Sequence, residues 1–277
     1  MHIGAHVSAS GGLWNGPENA AALGLETFQF FSRPPQGGRV GPITPETAKK
    51  FRDACAAHGF AKYYIHAPYI INLASKEERI RASTVEIVRG ELERGTALGA
   101  TAVMFHPGSA SGVGEEQGVA LVIEGMREIL KGYTGTTRLL VEISAGAGMV
   151  IGDSFEEVGA ILRGVNDDRV GVCFDTAHAF ASGYDLRSEE ALDAVMKSFD
   201  EKIGLHYLEL SHCNDSKVAL GERKDRHEHL GKGHIGASGF RAIVAHKAFR
   251  NIDLILETPP DGVVADIAIL RKLRDSR

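Results

Sequence analysis

The chain is short of cysteine and aromatic residues, lacks any long apolar run, and carries no net positive charge. Each shortage removes a class of protein. The three cysteines, Cys55, Cys173 and Cys213, are odd in number and form no CxxC pair, so neither a disulfide framework nor a thiolate zinc site is expected. No apolar run approaches the roughly 18 residues of a membrane span, and the opening MHIGAHVS has no charged-then-apolar leader. A formal charge of −5 argues against broad electrostatic attraction to nucleic acid, while leaving room for a local basic site. Disorder is not expected either, because 43% of residues are hydrophobic and long charge runs are missing. The reading is a soluble protein of a reducing compartment, the cytoplasm, with nothing that calls for more than a monomer.

What is plentiful is glycine, at 33 residues, and histidine, at 12 of 277. Low aromatic content with abundant Gly and Ala suits many short loops and close helix–strand packing. Short β-rich runs recur near His2–Val7, Thr27–Phe31, Tyr63–His66, Ala102–His106, Leu139–Ile143, Val170–Asp175, Leu205–Ser211 and Leu254–Glu257. Helical patterns lie between them. Thr44-Pro45 reads as a cap followed by Pro at the first helical position, Ser75-x-x-Glu78 and Ser154-x-x-Glu157 as capping boxes, and Asp261 as the opening of the last helix. Strands alternating with helices imply parallel pairing. Eight units of about 35 residues each fit a (β/α)8 TIM barrel, forming one domain over residues 1–277. The rival doubly wound sheet would be expected to bring a GxGxxG after its first strand, which GAHVSASGG is not.

The strand ends carry the functional signal. Strand three finishes at His66, four at His106, five at Glu142, six at Asp175 with His178 just beyond, seven at His212 and eight at Glu257. In this barrel the C-terminal ends of all strands meet at one mouth, where active sites sit. Packing that many imidazoles and carboxylates into one space is costly unless cations compensate them. A loop after strand seven adds Asp225 and His227, whose i, i+2 spacing turns both side chains the same way in an extended segment. His6 reads as support for these groups, and His58 and His246 as residues of solvated helix faces.

The candidate metal ligands are therefore His66, His106, Glu142, Asp175, His178, His212, Asp225, His227 and Glu257. Nine exceed what one zinc needs, since three protein ligands and a water make the usual catalytic site. Two or three ions with a bridging carboxylate are implied. Imidazole and carboxylate without thiolate suit zinc, with manganese or iron at some positions. Three such ions would take the formal charge from −5 to about +1, concentrated at the mouth, which suits phosphoryl chemistry. Arg33, Arg39, Lys217, Arg223, Lys224, Arg226 and Lys232 lie in loops expected to ring that mouth. Tyr69 and Ile70 stand where apolar wedges act on a duplex, or where rim packing would put them.

The motifs GAHVSASGGL, Tyr69–Leu73, HPGS from His106, DTAHAFASGYD, HCNDSK, DRHEHLGKGHIG and LETP, in this order over nearly the whole chain, resemble the endonuclease IV family. The resemblance implies a trinuclear zinc enzyme that cleaves DNA 5′ to abasic sites, leaving a 3′-hydroxyl and a 5′-deoxyribose phosphate, and that also trims blocked 3′ ends. By motif, His66, His106 and Glu142 would hold the first zinc. Glu142 would bridge to a second, shared with Asp175, His212 and Glu257, and His178, Asp225 and His227 would hold the third. A hydroxide between the first two would attack phosphorus, making Glu142 the residue closest to the chemistry. Tyr69, Arg33, Arg226 and Lys217 are the DNA contacts this reading favours.

The chain departs from the family pattern in three places. Arg33-Pro34-Pro35-Gln36-Gly37-Gly38 replaces the usual Lys-Asn and Trp of the loop after strand two. Ile143-Ser144 replaces Asn-Thr after Glu142, and Ala177 replaces a Cys before His178. The ligands survive, so these changes bear on lesion preference rather than on hydrolysis. The residues alone leave two alternatives: a single-metal sugar isomerase or epimerase on the same barrel, and a phosphate- or DNA-binding barrel without turnover.

Overall fold

A computed structural model of the chain describes residues 1–38 and 40–276; Arg39, expected among the basic loop residues, lies outside them. Eight parallel strands, β1 (Ile3–His6), β2 (Thr27–Phe30), β3 (Tyr64–His66), β4 (Ala102–Phe105), β5 (Arg138–Glu142), β6 (Val170–Asp175), β7 (Leu208–His212) and β10 (Asp253–Leu256), close into a barrel. The first strand pairs with both the second and the last. Helices α1 (Asn15–Ala22), α2 (Pro45–Ala57), α3 (Glu78–Leu98), α4 (Glu115–Leu130), α5 (Phe155–Val165), α7 (Glu189–Lys202), α8 (Gly236–Ala245) and α9 (Val263–Asp275) lie between and after the strands. A short α6 (Thr176–Ala181) follows β6, and a two-stranded hairpin, β8 (Asp215–Ser216) with β9 (His227–Glu228), follows β7. The TIM barrel expected from the alternation is the fold observed. Among the described residues no helix is long and apolar enough to cross a membrane.

Strand periodicity splits the core in two. Tyr64, Ala102, Met104, Leu140, Cys173, Leu210 and Ile255 form a cluster of their own inside the barrel. Their strand neighbours Ile65, Val103, Phe105, Val141, Phe174 and Leu256 pack outward under the helices. Alternate residues face opposite sides of a strand, so the residue two beyond each of several inner side chains also faces inward. Tyr64, Met104, Leu140, Cys173, Leu210 and Ile255 are thus each followed at i+2 by His66, His106, Glu142, Asp175, His212 and Glu257. The apolar layer is the floor on which a polar ring stands.

The helix starts divide into agreements and corrections. Thr44 caps α2 through its hydroxyl on the Thr47 N–H, with Pro45 at the first position. Ser154 caps α5 on the Glu157 N–H, but the Glu157 carboxylate turns to the Gly152 N–H at 2.7 Å rather than closing the box. Ser75 does not cap α3. Its hydroxyl accepts from the Glu77 N–H and the helix begins only at Glu78. Asp261 does not cap α9, which starts at Val263 behind Gly262. The strand expected from Leu205 begins at Leu208, because Gly204 at φ 106° and the Asp200 carboxylate on the Leu205 N–H wind residues 205–207 into a 3-10 turn.

Candidate metal centre

The mouth of the barrel brings the ligand candidates into three overlapping groups: His66, His106 and Glu142; Glu142, Asp175, His212 and Glu257; and Asp175, His178 and His227. In each group the donor atoms lie within 4.8 Å of one another. Glu142 belongs to two groups and so does Asp175. Asp225, expected beside His178 and His227, is there too, with its Oδ1 3.2 Å from His178 Nε2 and 3.4 Å from His227 Nε2. His178 owes its place to α6: Asp175 is the N-cap, accepting the His178 N–H at 2.7 Å, so one carboxylate shapes the turn and faces the cluster.

Glu142 sits at the centre. Its Oε1 is 2.9 Å from His212 Nδ1 and 3.4 Å from His178 Nδ1. Its Oε2 is 3.4 Å from His66 Nε2 and 3.5 Å from His106 Nε2. That Oε2 is buried with no hydrogen-bond partner, a costly arrangement unless a cation completes it. The imidazoles are oriented to match. His66 Nδ1 is 2.6 Å from the Ala67 carbonyl and His178 Nδ1 3.0 Å from the Ile143 carbonyl. Donation of those N–H groups leaves each Nε2 lone pair facing the cluster, the arrangement of metal-bound histidines. The donor set, imidazole and carboxylate with a lone buried oxygen, fits divalent cations of the zinc type.

Burial and charge oppose each other throughout. Burial pushes the Glu142 and Glu257 carboxyls up, yet the surrounding imidazoles outweigh it and hold both well below the ordinary carboxylate range. Burial pushes His178 and His212 down, but neighbouring acidic groups leave both well above the usual value. For Asp225 the imidazoles of His178, His227 and His106 overcome burial and bring it to about 2. His106, with less carboxylate around it, stays below the ordinary imidazole value because burial dominates.

The four residues expected to touch DNA separate. Tyr69 is 63% exposed, its ring 5.3 Å from that of His66 and 5.5 Å from that of Phe31, and Ile70 beside it is 48% exposed. Lys217 and Arg226 are exposed next to each other on the β8–β9 hairpin, joined by the Lys217 N–H on the Arg226 carbonyl. The Arg33 guanidinium ion-pairs with the fully buried Glu91 of α3, beside Arg94 and Ser32, which anchors the loop after β2. His58 is exposed at the end of α2, as expected, whereas His246 is only partly exposed. They follow the last turns of α2 and α8 and pair with Glu18 and Asp193.

Three buried polar residues escaped the sequence reading. Gln29 bridges His212, Glu257 and His6. Asn214 donates to Asp175 Oδ2 at 2.8 Å and accepts the Glu257 N–H at 2.7 Å. Asp215 accepts backbone N–H groups from Ser216, Gly231, Gly233, Ile235 and Gly236, tying down the segment that follows His227. The signal was present for Gln29, a polar residue in the apolar strand TFQF. Asn214 and Asp215 stand beside His212 in HCND.

The family model described as xylose isomerase-like TIM barrel matches residues 17–273. A probable endonuclease 4 of Carboxydothermus hydrogenoformans is 38% identical over 275 residues, covering 99% of this chain and 97% of its own. Another, of Chlorobium phaeobacteroides, is 39% identical, covering 100% and 99%. The crystal structure of endonuclease IV from Thermus thermophilus superposes with a TM-score of 0.89 at 32% identity over the whole of both chains. A D-tagatose 3-epimerase-like protein, with a TM-score of 0.75 and 21% identity, shares the fold alone.

Proposed function

Because the chain belongs to the xylose isomerase-like TIM-barrel family, and within it to the endonuclease 4 group, we propose that it is a metal-dependent DNA repair endonuclease. It hydrolyses the phosphodiester 5′ to abasic sites in duplex DNA, leaving a 3′-hydroxyl and a 5′-deoxyribose phosphate, and it trims blocked 3′ ends. The observation that carries this reading is the overlap of three ligand groups through Glu142 and Asp175. A lone metal needs no such sharing, whereas closely spaced ions are suited to in-line phosphoryl displacement.

His66, His106 and Glu142 would hold one zinc, Glu142, Asp175, His212 and Glu257 a second, and His178, His227 and Asp225 a third. When bound, the ions supply Lewis acidity for the phosphate oxygens and lower the pKa of the attacking water. The chain's own part is orientation. Glu142 turns Oε2 toward His66 and His106 and Oε1 toward His178 and His212, so it would serve both ion groups, and the carbonyls of Ala67 and Ile143 fix the rings of His66 and His178. Tyr69 and Ile70 form an apolar lip above His66 that meets the bases, and Lys217 with Arg226 meets the phosphate backbone.

The test is a duplex with one tetrahydrofuran abasic analogue, which cannot undergo β-elimination. A single nick 5′ to the analogue, lost on prolonged chelation and restored by zinc, is the expected result. Absence of a nick from protein carrying its full metal complement would refute the reading. The competing sugar isomerase reading predicts one ion per chain and turnover of a ketose, and metal stoichiometry separates the two.

A further inference from the structure

Gln29 is completely buried on β2, in register with His6 of β1, and therefore stands in the same inward ring as the ligand candidates. Its amide makes three contacts there. Nε2 donates to Glu257 Oε1 at 2.7 Å and lies 3.0 Å from His6 Nδ1, and Oε1 lies 2.7 Å from His212 Nε2. The direction of this chain is determined. Glu257 is a carboxylate and accepts only, so the amide must turn its NH2 toward it. The carbonyl then faces His212, and a carbonyl accepts only, so His212 Nε2 must carry a hydrogen. What remains of that imidazole is Nδ1, which points at Glu142 Oε1 at 2.9 Å and at Glu257 Oε2 at 3.3 Å.

Resting on the metal-centre reading above, we infer that Gln29 is a positioning residue that makes Nδ1 the ligand atom of His212 and Oε2 the free oxygen of Glu257. The need is specific to His212. His66 and His178 are fixed by backbone carbonyls on Nδ1 and present Nε2. His212 is held the other way round, with no carbonyl on either ring nitrogen, so a side chain has to do it. One amide thereby sets two ligands of the same group, from a strand that contributes no ligand itself.

Two variants test this, each isosteric enough to keep the barrel. Gln29→Met removes both the donor and the acceptor; Gln29→Glu keeps an acceptor for His212 and loses the donor to Glu257. The readouts are zinc affinity and stoichiometry by chelator competition, and the His212 tautomer by long-range 1H–15N correlation on zinc-loaded protein. In Gln29→Met one zinc should weaken by about 10- to 100-fold, the scale for lost outer partners of metal ligands, the others should hold, and His212 should lose its Nε2–H signature. Gln29→Glu should keep that signature while weakening the same zinc. Unchanged affinity and tautomer in Gln29→Met would overturn the inference. So would a loss spread over all sites, or one that follows thermal stability with the tautomer intact, since a merely structural glutamine predicts those. Failure of the unaltered protein to take up zinc would instead sink the metal-centre reading itself.

Discussion

Glu142→Gln is the sharpest perturbation, because it keeps the shape of the side chain and removes its charge and one acceptor oxygen. Glu142 Oε2 is 3.4 Å from His66 Nε2, and at that range a pair of unit charges interacts by about 5 kcal/mol at an effective dielectric near 20. A divalent ion held between them doubles the charge. Discounting by half for relaxation leaves about 5 kcal/mol, or roughly three to four orders of magnitude in affinity. Two of the three ligand groups contain Glu142, so bound metal should fall by at least one ion per chain after equilibrium dialysis. Nicking of the tetrahydrofuran duplex should fall by more than about a thousandfold. Circular dichroism should show the barrel intact, since Leu140 and Val141 beneath are untouched. Full metal content with unaltered nicking would refute the assignment of Glu142 to the centre of the site.

Glu157 gives a pH test away from the ligands: burial, aided by Asp153 and Glu115, raises its carboxyl to about 7. A raised folded pKa favours the protonated form, so its contribution is full below the unfolded value near 4.3 and is lost as pH rises through about 7. Glu157→Gln should therefore stabilise the fold relative to the parent by about 1–2 kcal/mol at pH 8, after allowance for solvent screening, but not at pH 5; a pH-independent difference in thermal denaturation would contradict this. In Gly108→Ala the new methyl group would run into Asn72 Oδ1 and lie 2.7 Å from the Asn72 Cα, at a φ of +106°. It should cost about 1–3 kcal/mol in calorimetry while raising KM through the displaced Tyr69–Leu73 segment. Lys217→Ala and Arg226→Ala should each flatten the log–log salt dependence of DNA binding by about 0.9. Arg33→Ala should leave that slope alone and lower Tm. Asp215→Asn, which takes an acceptor from the backbone N–H groups of residues 231–236, should weaken metal binding at the proposed His178, His227 and Asp225 position before the other proposed positions, read by chelator competition; equal weakening throughout would refute it.

The sequence made the barrel legible because apolar strand runs alternate with capped helices. β6 was placed to the residue, since VGVCFD is apolar on both faces until the aspartate that ends it. Starts depending on side-chain competition were not: Ser75 had a shorter-range use for its hydroxyl, and Gly204 with Asp200 delayed β7. In the site, residue type was a good guide to His and carboxylate groups but blind to an amide. Gln29 satisfies the same inward periodicity as its neighbours and went unread because it does not titrate. Arg33 has a partner that the residues alone do not reveal. Its charge suggested a phosphate contact, and only the fold brings Glu91, 58 positions away, to meet it. Asp175 was assigned to one group, and the distances place it against His212 and His227 alike, at 3.7 Å from each.

The polar ring is hard to account for as a device of stability. A folded chain gains nothing from a buried carboxylate oxygen without a donor, or from imidazoles turned by Ala67, Ile143 and Gln29 so that their remaining nitrogens converge. Apolar residues at those i+2 positions would extend the layer below and remove the desolvation cost. The arrangement becomes favourable when positive charge occupies the space between the lone pairs, and the imidazoles around Glu142 hold its carboxyl well below the ordinary range while the acidic groups around His212 hold its imidazole above the usual value. Metal entering must displace any protons the imidazoles carry, so affinity rises with pH. Six of the nine candidates stand on or just beyond barrel strands, fixed by the sheet. His178, Asp225 and His227 stand on a short helix and a hairpin, fixed by Asp175 and Asp215. The two sets differ in what holds them: the sheet for one, hydrogen bonds that the Asp175 and Asp215 carboxylates accept from nearby backbone for the other.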